Sequence, residues 1–244
     1  MRTALEWARE WPGIDLEPGE VHLGRLRVEQ SDPAAENHLT SDELERASSF
    51  RFEVDRARYV ASRGALRSLL AGYLGIEPGS VSIVTDAGGK PYLSDVAHPD
   101  SIQFNVSHSG RLVVIGITKD VPIGLDVEEI RSDIPYRDMA ARFFSPKELD
   151  AFAARPVEER LDHFYAVWTR KEAYLKGIGA GLSIPPEGFS VTLGEHDATP
   201  VDDPSRSQRW WTAGVDVWEG FHAALALPQD DWTIRPFEIV RSGG

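Results

Sequence analysis

The chain has 244 residues, 41% of them hydrophobic, enough for one large domain or two small ones around a buried core, which excludes wholesale disorder. Twenty-six basic residues against 39 acidic ones leave a formal net charge of −13, an average field that repels phosphate and excludes a general nucleic-acid or anionic-membrane binder. The absence of cysteine excludes disulfide scaffolds, thiolate zinc sites, iron–sulfur clusters and a cysteine nucleophile. A phosphorylated ligand would therefore need a local cluster of cations or a metal ion. The cations comprise only 5 lysines beside 21 arginines, so the place of each lysine is informative. Residues 1–20 carry charges and prolines where a signal peptide needs an apolar core, and no run approaches about 18 consecutive apolar residues, so a soluble cytoplasmic protein is expected.

In chain order, residues 41–74 read as helical. Ser41 and Asp42 offer N-cap chemistry, Leu66, Leu69, Leu70, Tyr73 and Leu74 recur at three-to-four spacing, and Gly75 offers a stop. Residues 80–85 (SVSIVT) alternate like a strand, and AGGKP (87–91) follows as a turn. Two strands, 102–106 and 112–118, flank HSG (108–110), and 123–128 is another short strand. A helix is predicted from about residue 158 to 176. The string IGAGLSIPPEGFSVTL (178–193) then resembles YLGIEPGSVSIVT (73–85), and VDVWEGFHAALAL (215–227) echoes FNVSHSGRLVVIGIT (104–118). The expected fold class is α+β, a pseudo-dimeric tandem of two similar α+β halves, 1–120 and 121–244, with the active site in the cleft between them. One chain then forms a complete cleft, so a monomer is expected. Residues 194–208 read as a polar surface loop, and the stretch 1–40 and the loop 194–209 receive no role.

Three carboxylates stand out. Asp126 and Glu128, in PIGLDVEEI, are two apart on a predicted strand, so their side chains leave one face while Leu125 and Val127 leave the other. Such an oxygen-rich pair suits Mg²⁺, although a pair of this spacing is often a solvated edge. On the later helix, Trp168, Glu172 and Lys176 share a face that joins an aromatic platform, a carboxylate and an ammonium. Two of the five lysines, Lys171 and Lys176, sit in this one helix, and lysine suits phosphate as a compact point charge. FNVSHSG (104–110) offers a hydroxyl, an imidazole and turn N–H groups that can cradle phosphate. Ser107 and His108 cannot be a nucleophile–base pair, because neighbours on a strand project to opposite faces, and no GxSxG string exists. Lys90 lies in a Gly–Pro turn that is not a Walker loop. Arg58, Arg63 and Arg67 form a basic stripe on the first long helix, either solvated surface or a source of local positive field.

Taken together, GKPYL, FNVSHSG, PIGLDVEEI, FFSPKELDAF (143–152) and WTRKEAYLKGIGAGL (168–182) resemble the Sfp-type, pseudo-dimeric branch of the 4′-phosphopantetheinyl transferase superfamily. The five strings occur in the family's order and span about 58–182. The resemblance implies Mg²⁺-dependent transfer of 4′-phosphopantetheine from coenzyme A to a serine of an apo carrier protein or carrier domain of a fatty-acid, polyketide or nonribosomal-peptide synthase. It implies Asp126, Glu128 and Glu172 as Mg²⁺ ligands, and Glu172 with Lys176 as the pair that activates the serine and meets the coenzyme A phosphates. Arg58 would meet the 3′-phosphate, Gly89, Lys90 and Pro91 would border the adenine, and Asn105, Ser107 and His108 would hold phosphate groups. Lys171 is grouped with Lys176 on the coenzyme A side. Phe143 and Phe144 would belong to the carrier-docking region, with Arg137 and Arg142 as local cations. Two alternatives are a catalytically silent module that holds coenzyme A or a carrier protein, and a metal-dependent phosphohydrolase. A silent binder has no need of the three acids together.

Overall fold

Two apolar runs that do not alternate, Leu112–Lys119 and Phe221–Leu227, mark strands covered on both faces. The computed structural model describes residues 5–9, 11–30, 32–86, 88–94, 102–194 and 198–240. Ala87 of the expected AGGKP turn and residues 195–197 of the expected loop lie outside the described residues. Each apolar run is an inner strand of a four-stranded sheet. The first sheet places β10 (Thr233–Glu238), β1 (Glu20–Arg27), β5 (Leu112–Lys119) and β4 (Ile102–Ser109) side by side. The second orders β6 (Gly124–Glu129), β9 (Phe221–Leu227), β8 (Trp211–Val215) and β7 (Thr199–Pro200). A small hairpin pairs β2 (Ile83–Thr85) with β3 (Pro91–Leu93).

The layers run helix, sheet, sheet, helix. Val113, Ile115 and Ile117 of β5 pack under helix α3 (Glu53–Leu74), and Ala224 and Ala226 of β9 pack under α6 (Arg160–Gly177). On the opposite faces, Leu112 and Val114 meet Leu125, Val127, Ala223 and Leu225 between the sheets. Each fully buried aliphatic side chain contributes about 1.5–3 kcal/mol, so this double burial outweighs any helix cap or surface ion pair. Strands β1–β5–β4 with α3, and β6–β9–β8 with α6, repeat one antiparallel arrangement. The molecule is therefore a tandem of two similar α+β halves.

The structure departs from the sequence reading in several places. The stretch 1–40 supplies β1, an inner strand of the first sheet, followed by the short helix α1 (Pro33–Glu36). Ahead of β1, Trp7 stacks over the Arg25 guanidinium at 4.0 Å while Trp218 covers its other side at 4.5 Å. The predicted helix 41–74 is two helices, α2 (Ser41–Ser48) and α3, because the Ser48 and Ser49 hydroxyls donate back to the Glu45 and Arg46 carbonyls at 2.7 Å each and compete with continued helix. The N-cap of α2 is Thr40, in a reciprocal capping box with Glu43, rather than Ser41 or Asp42. Gly75 ends α3 at φ +64°, as its type predicts. The strand expected over 80–85 shortens to β2, since 78–80 form a 3₁₀ turn. Its expected counterpart near 189–193 is reduced to one bridge between Ser190 and Asp202. Finally, β10 pairs in parallel with β1, so the last strand of the range 121–244 belongs to the first sheet.

Between β6 and the helices α4 (Tyr136–Phe143), α5 (Pro146–Ala153) and α6, one glycine sets the spacing. A Cβ on Gly124 would run into the Ala173 carbonyl oxygen and the backbone of Gly177, so only glycine lets α6 lie this close to β6. Gly124→Ala is expected to destabilise the protein by about 1–3 kcal/mol through overpacking. A lower urea midpoint with an unchanged slope would show it.

Candidate active site

The alternation of β4 carries the seam between the two halves. Asn105, Ser107 and Ser109 leave one face of the strand and reach β6 of the other sheet. Asn105 Oδ1 accepts the Leu125 N–H at 3.0 Å, Ser107 Oγ the Val127 N–H at 3.2 Å and Ser109 Oγ the Glu129 N–H at 3.1 Å. Side chains thus stand where carbonyls of a neighbouring strand would stand, and they satisfy the edge of β6. The hydroxyls continue the pattern as donors: Ser107 to Asp126 Oδ1 at 3.1 Å and Ser109 to Glu128 Oε2 at 2.8 Å. His108, on the opposite face, is exposed, as strand alternation requires.

Lys176, on the last turn of α6, reaches into this ladder. Its ammonium donates to Asp126 Oδ1 at 2.5 Å and to Ser107 Oγ at 3.0 Å. Asp126 is 3% exposed, and burial pushes its carboxyl up to about 7. The Lys176 charge opposes that rise, while Glu128 and Glu172 add to it. Burial likewise raises the Glu172 carboxyl, against Lys176 and with Glu128. Asp126, Glu128, Glu172 and Lys176 therefore share one electrostatic neighbourhood, brought from two elements 44 to 50 positions apart on a single seam.

A cleft of about 720 Å³ opens beside this cluster. Gly88, Gly89, Lys90, Pro91 and Asn105 line it from the first half, and Trp168, Glu172, Leu175 and Lys176 from α6. Its far wall is apolar, built from Phe143, Ile184, Pro185 and Pro186, with Arg142 beside them. Phe143 lies 5.3 Å from the Trp168 ring. Gly89 adopts φ +89°, a turn conformation open to glycine. Lys90 does not extend freely into the cleft: its ammonium donates to the Ile123 and Gly177 carbonyls at 3.2 and 3.1 Å, which ties the glycine turn to the second half. Burial lowers its pKa to about 8, with Asp86 opposing.

The other expected positions divide. Arg58 sits away from this cleft in a neighbouring groove, where it donates to Asp55 at 2.6 Å and to the Gly110 carbonyl at 3.0 Å. His108 lies within electrostatic reach of both Arg58 and Lys176; desolvation first, then those two cations, lowers its pKa. Arg63 and Arg67 are not a solvated basic stripe: both donate to Glu43 at 2.6 Å, which offsets part of their charge. Lys171 is a correction. It follows the cleft face of α6 by about 100° of helix rotation, so it is fully buried and bound to Glu148 and the Phe189 carbonyl instead. Phe144 is likewise a core residue, stacked at 5.7 Å on Phe164.

The residues fit a hard divalent cation in chemistry. The donors are all carboxylate oxygens, and Asp126 Oδ2 is buried with no hydrogen-bond partner. Among the described residues, however, no group of three or more acidic or histidine side chains is arranged to hold a metal ion. Lys176 stands at Asp126 as an internal counter-ion, and Glu128 accepts from Ser109. Two readings from sequence were incomplete. Ser109 belongs to the ladder, and the every-second-residue series Asn105, Ser107, Ser109 was its signal. Leu175, Ile184, Pro185 and Pro186 complete the wall, with no local signal beyond apolar character.

The cleft thus joins a charged end, where Glu172 and Lys176 line it, to an apolar wall. Two family models match the chain in succession: "4′-phosphopantetheinyl transferase, N-terminal" over residues 29–119 and "4′-phosphopantetheinyl transferase superfamily" over 122–226. The chain is 39% identical to the 4′-phosphopantetheinyl transferase HetI of Nostoc sp., over 72% of this chain and 76% of that one. It is 30% identical to a 4′-phosphopantetheinyl transferase of Bacillus subtilis (80% and 84% covered) and 27% identical to Sfp of Bacillus subtilis strain 168 (87% and 92% covered). The chain belongs to the 4′-phosphopantetheinyl transferase superfamily. Among the described residues, no helix is long and apolar enough to cross a membrane.

The tethered lysine gives a pH signature. Between about 8 and its ordinary value of 10.5, Lys90 is neutral in the folded protein and protonated in the unfolded chain. The unfolded state then binds the extra proton, so stability from this group rises with pH across that window. Relative to Lys90→Met, the wild-type urea midpoint is expected to gain between pH 7.5 and pH 10; a constant difference would contradict the burial of this ammonium.

Proposed function

We propose that this transferase moves the 4′-phosphopantetheine group of coenzyme A onto a serine hydroxyl of an apo carrier protein and releases adenosine 3′,5′-bisphosphate. The observation that supports this reading most directly is the placement of Asp126, Glu172 and Lys176 together at the seam, between a lysine-bearing glycine turn and an apolar wall. The nucleotide end, rich in negative charge, belongs on the side of Lys90, His108 and Lys176, with Arg58 in the adjoining groove for the 3′-phosphate. The uncharged pantetheine arm belongs along Trp168, Phe143 and Ile184.

In the reaction the acceptor oxygen attacks the phosphorus that bears pantetheine, and the bond to the adenosine-side phosphate oxygen breaks. The serine proton passes to Glu172, whose carboxylate burial makes more basic than an exposed one. Lys176 donates to the oxygens on which negative charge gathers, a fixed donor where charge develops. Asp126, Glu128 and Glu172 would hold Mg²⁺, which when bound neutralises pyrophosphate charge. Ser107, through its bond to Lys176, orients that ammonium. The nucleophile comes from the partner. The acceptor is a carrier domain of a fatty-acid, polyketide or nonribosomal-peptide synthase, and the reading includes a cytoplasmic monomer, because one chain supplies both halves of the cleft.

Incubation of the protein with coenzyme A, Mg²⁺ and an apo carrier is expected to add one phosphopantetheine mass to the carrier serine by mass spectrometry. Coenzyme A binding without a mass gain would instead identify a silent binding module, and phosphate release without an acceptor a phosphohydrolase. Glu172→Gln keeps size and loses the base, so turnover should fall by about 10²–10⁴-fold with an unchanged melting profile. Chelation with EDTA should stop transfer and added Mg²⁺ restore it; transfer that persists in the chelator would remove the metal from the reading.

A further inference from the structure

The most enclosed charge pair in the molecule lies outside the cleft. Lys171 is 0% exposed, and its ammonium donates to Glu148 Oε1 at 2.9 Å, Glu148 Oε2 at 2.7 Å and the Phe189 carbonyl at 2.7 Å. Glu148 accepts two further bonds, from the Ser145 N–H and the Val191 N–H, both at 2.8 Å. All three ammonium protons are used, and each carboxylate oxygen accepts twice. Ser145 and Ser190 add a hydroxyl contact at 2.7 Å across the same joint. Three chain segments meet here: the elbow between α4 and α5, helix α6, and residues 189–191.

Two of those segments carry the apolar wall of the cleft. Arg142 and Phe143 lie three and two residues before Ser145, and Ile184, Pro185 and Pro186 lead into Phe189. Residues 181–191 contain two 3₁₀ turns and a single bridge to Asp202, so no sheet fixes their position. Apolar side chains of similar volume would hold these segments together equally well or better, since burying an ion pair costs desolvation. What apolar contact does not supply is direction. Five bonds of fixed geometry specify one register of the wall against α6, and a slide of either segment strips a buried partner. None of these bonds reaches the turn at 88–91 or the ladder at Asn105, Ser107 and Ser109; the joint meets the charged end of the cleft through α6, which carries Glu172 and Lys176.

We propose that Lys171 and Glu148 are positioning residues that fix the apolar wall against α6 and thereby set the grip on the uncharged pantetheine arm of coenzyme A. The inference rests on the transferase reading above, because the arm is the part of that substrate suited to such a wall. The test compares coenzyme A with adenosine 3′,5′-bisphosphate, which lacks the arm, by calorimetric titration. The double variant Lys171→Met, Glu148→Leu replaces the pair by apolar groups and leaves no buried unpaired charge. Its affinity for coenzyme A should fall about tenfold while that for the bisphosphate stays within about twofold, the size expected for a misplaced wall. Affinities that both hold, or fall in parallel, would overturn the proposal. Should the double variant not fold, Ser190→Ala loosens the same joint more gently and should weaken coenzyme A alone by about threefold; no split between the two ligands overturns it equally. A wild-type protein without affinity for coenzyme A would refute the transferase reading itself, whereas wild-type binding and transfer with no split would refute this inference only.

Discussion

The ladder of Asn105, Ser107 and Ser109 onto the N–H groups of Leu125, Val127 and Glu129 is the constraint on which the site depends. Two sheets whose edges meet could pair through backbone alone, but continuous backbone pairing would leave no polar side chain at the joint. Side chains as acceptors keep the β6 edge satisfied and also place hydroxyl protons beside Asp126 and Glu128. Structural and chemical demands are met by the same atoms. A one-residue slip of β4 would turn Phe104 and Val106 into the seam and remove every bond of the ladder at once.

That joint explains why carboxylates are tolerated in a buried place. Asp126 is 3% exposed and carries an oxygen without a partner, an expensive arrangement that Lys176 only partly offsets. Glu172 and Glu128 deepen the imbalance instead of relieving it. Free-standing, the cluster is short of positive charge, and a cation or a ligand-bound cation would relieve that shortage. The acidity of the whole chain works in the same direction, since it adds no compensating field.

Much of this was legible in the chain. Period-two spacing put Asp126 and Glu128 on one face and separated Ser107 from His108; period-3.6 spacing put Trp168, Glu172 and Lys176 along one stripe, and both hold in the structure. The tandem showed through the echo of 104–118 in 215–227, strings that contain the two sandwiched strands β5 and β9. What stayed hidden depends on partners distant in sequence. Lys171 looked like a second phosphate lysine until the position of Glu148, on another helix, decided its direction. Arg63 and Arg67 looked like a free basic stripe because Glu43 lies 20 and 24 positions away. β1 was missed because its strand character, EVHLGRLR, is interrupted by Gly24, whose missing side chain makes room for Phe237 and Ile239.

The return of β10 to the first sheet has a consequence for biogenesis. The amino-terminal half is synthesised first, yet its β1 flank stays open until β10, more than 200 residues later, has left the ribosome tunnel. Throughout that interval a nascent edge is available to foreign strands. Termination before Thr233 would thus leave a molecule that keeps the seam residues but has an unsealed, aggregation-prone border.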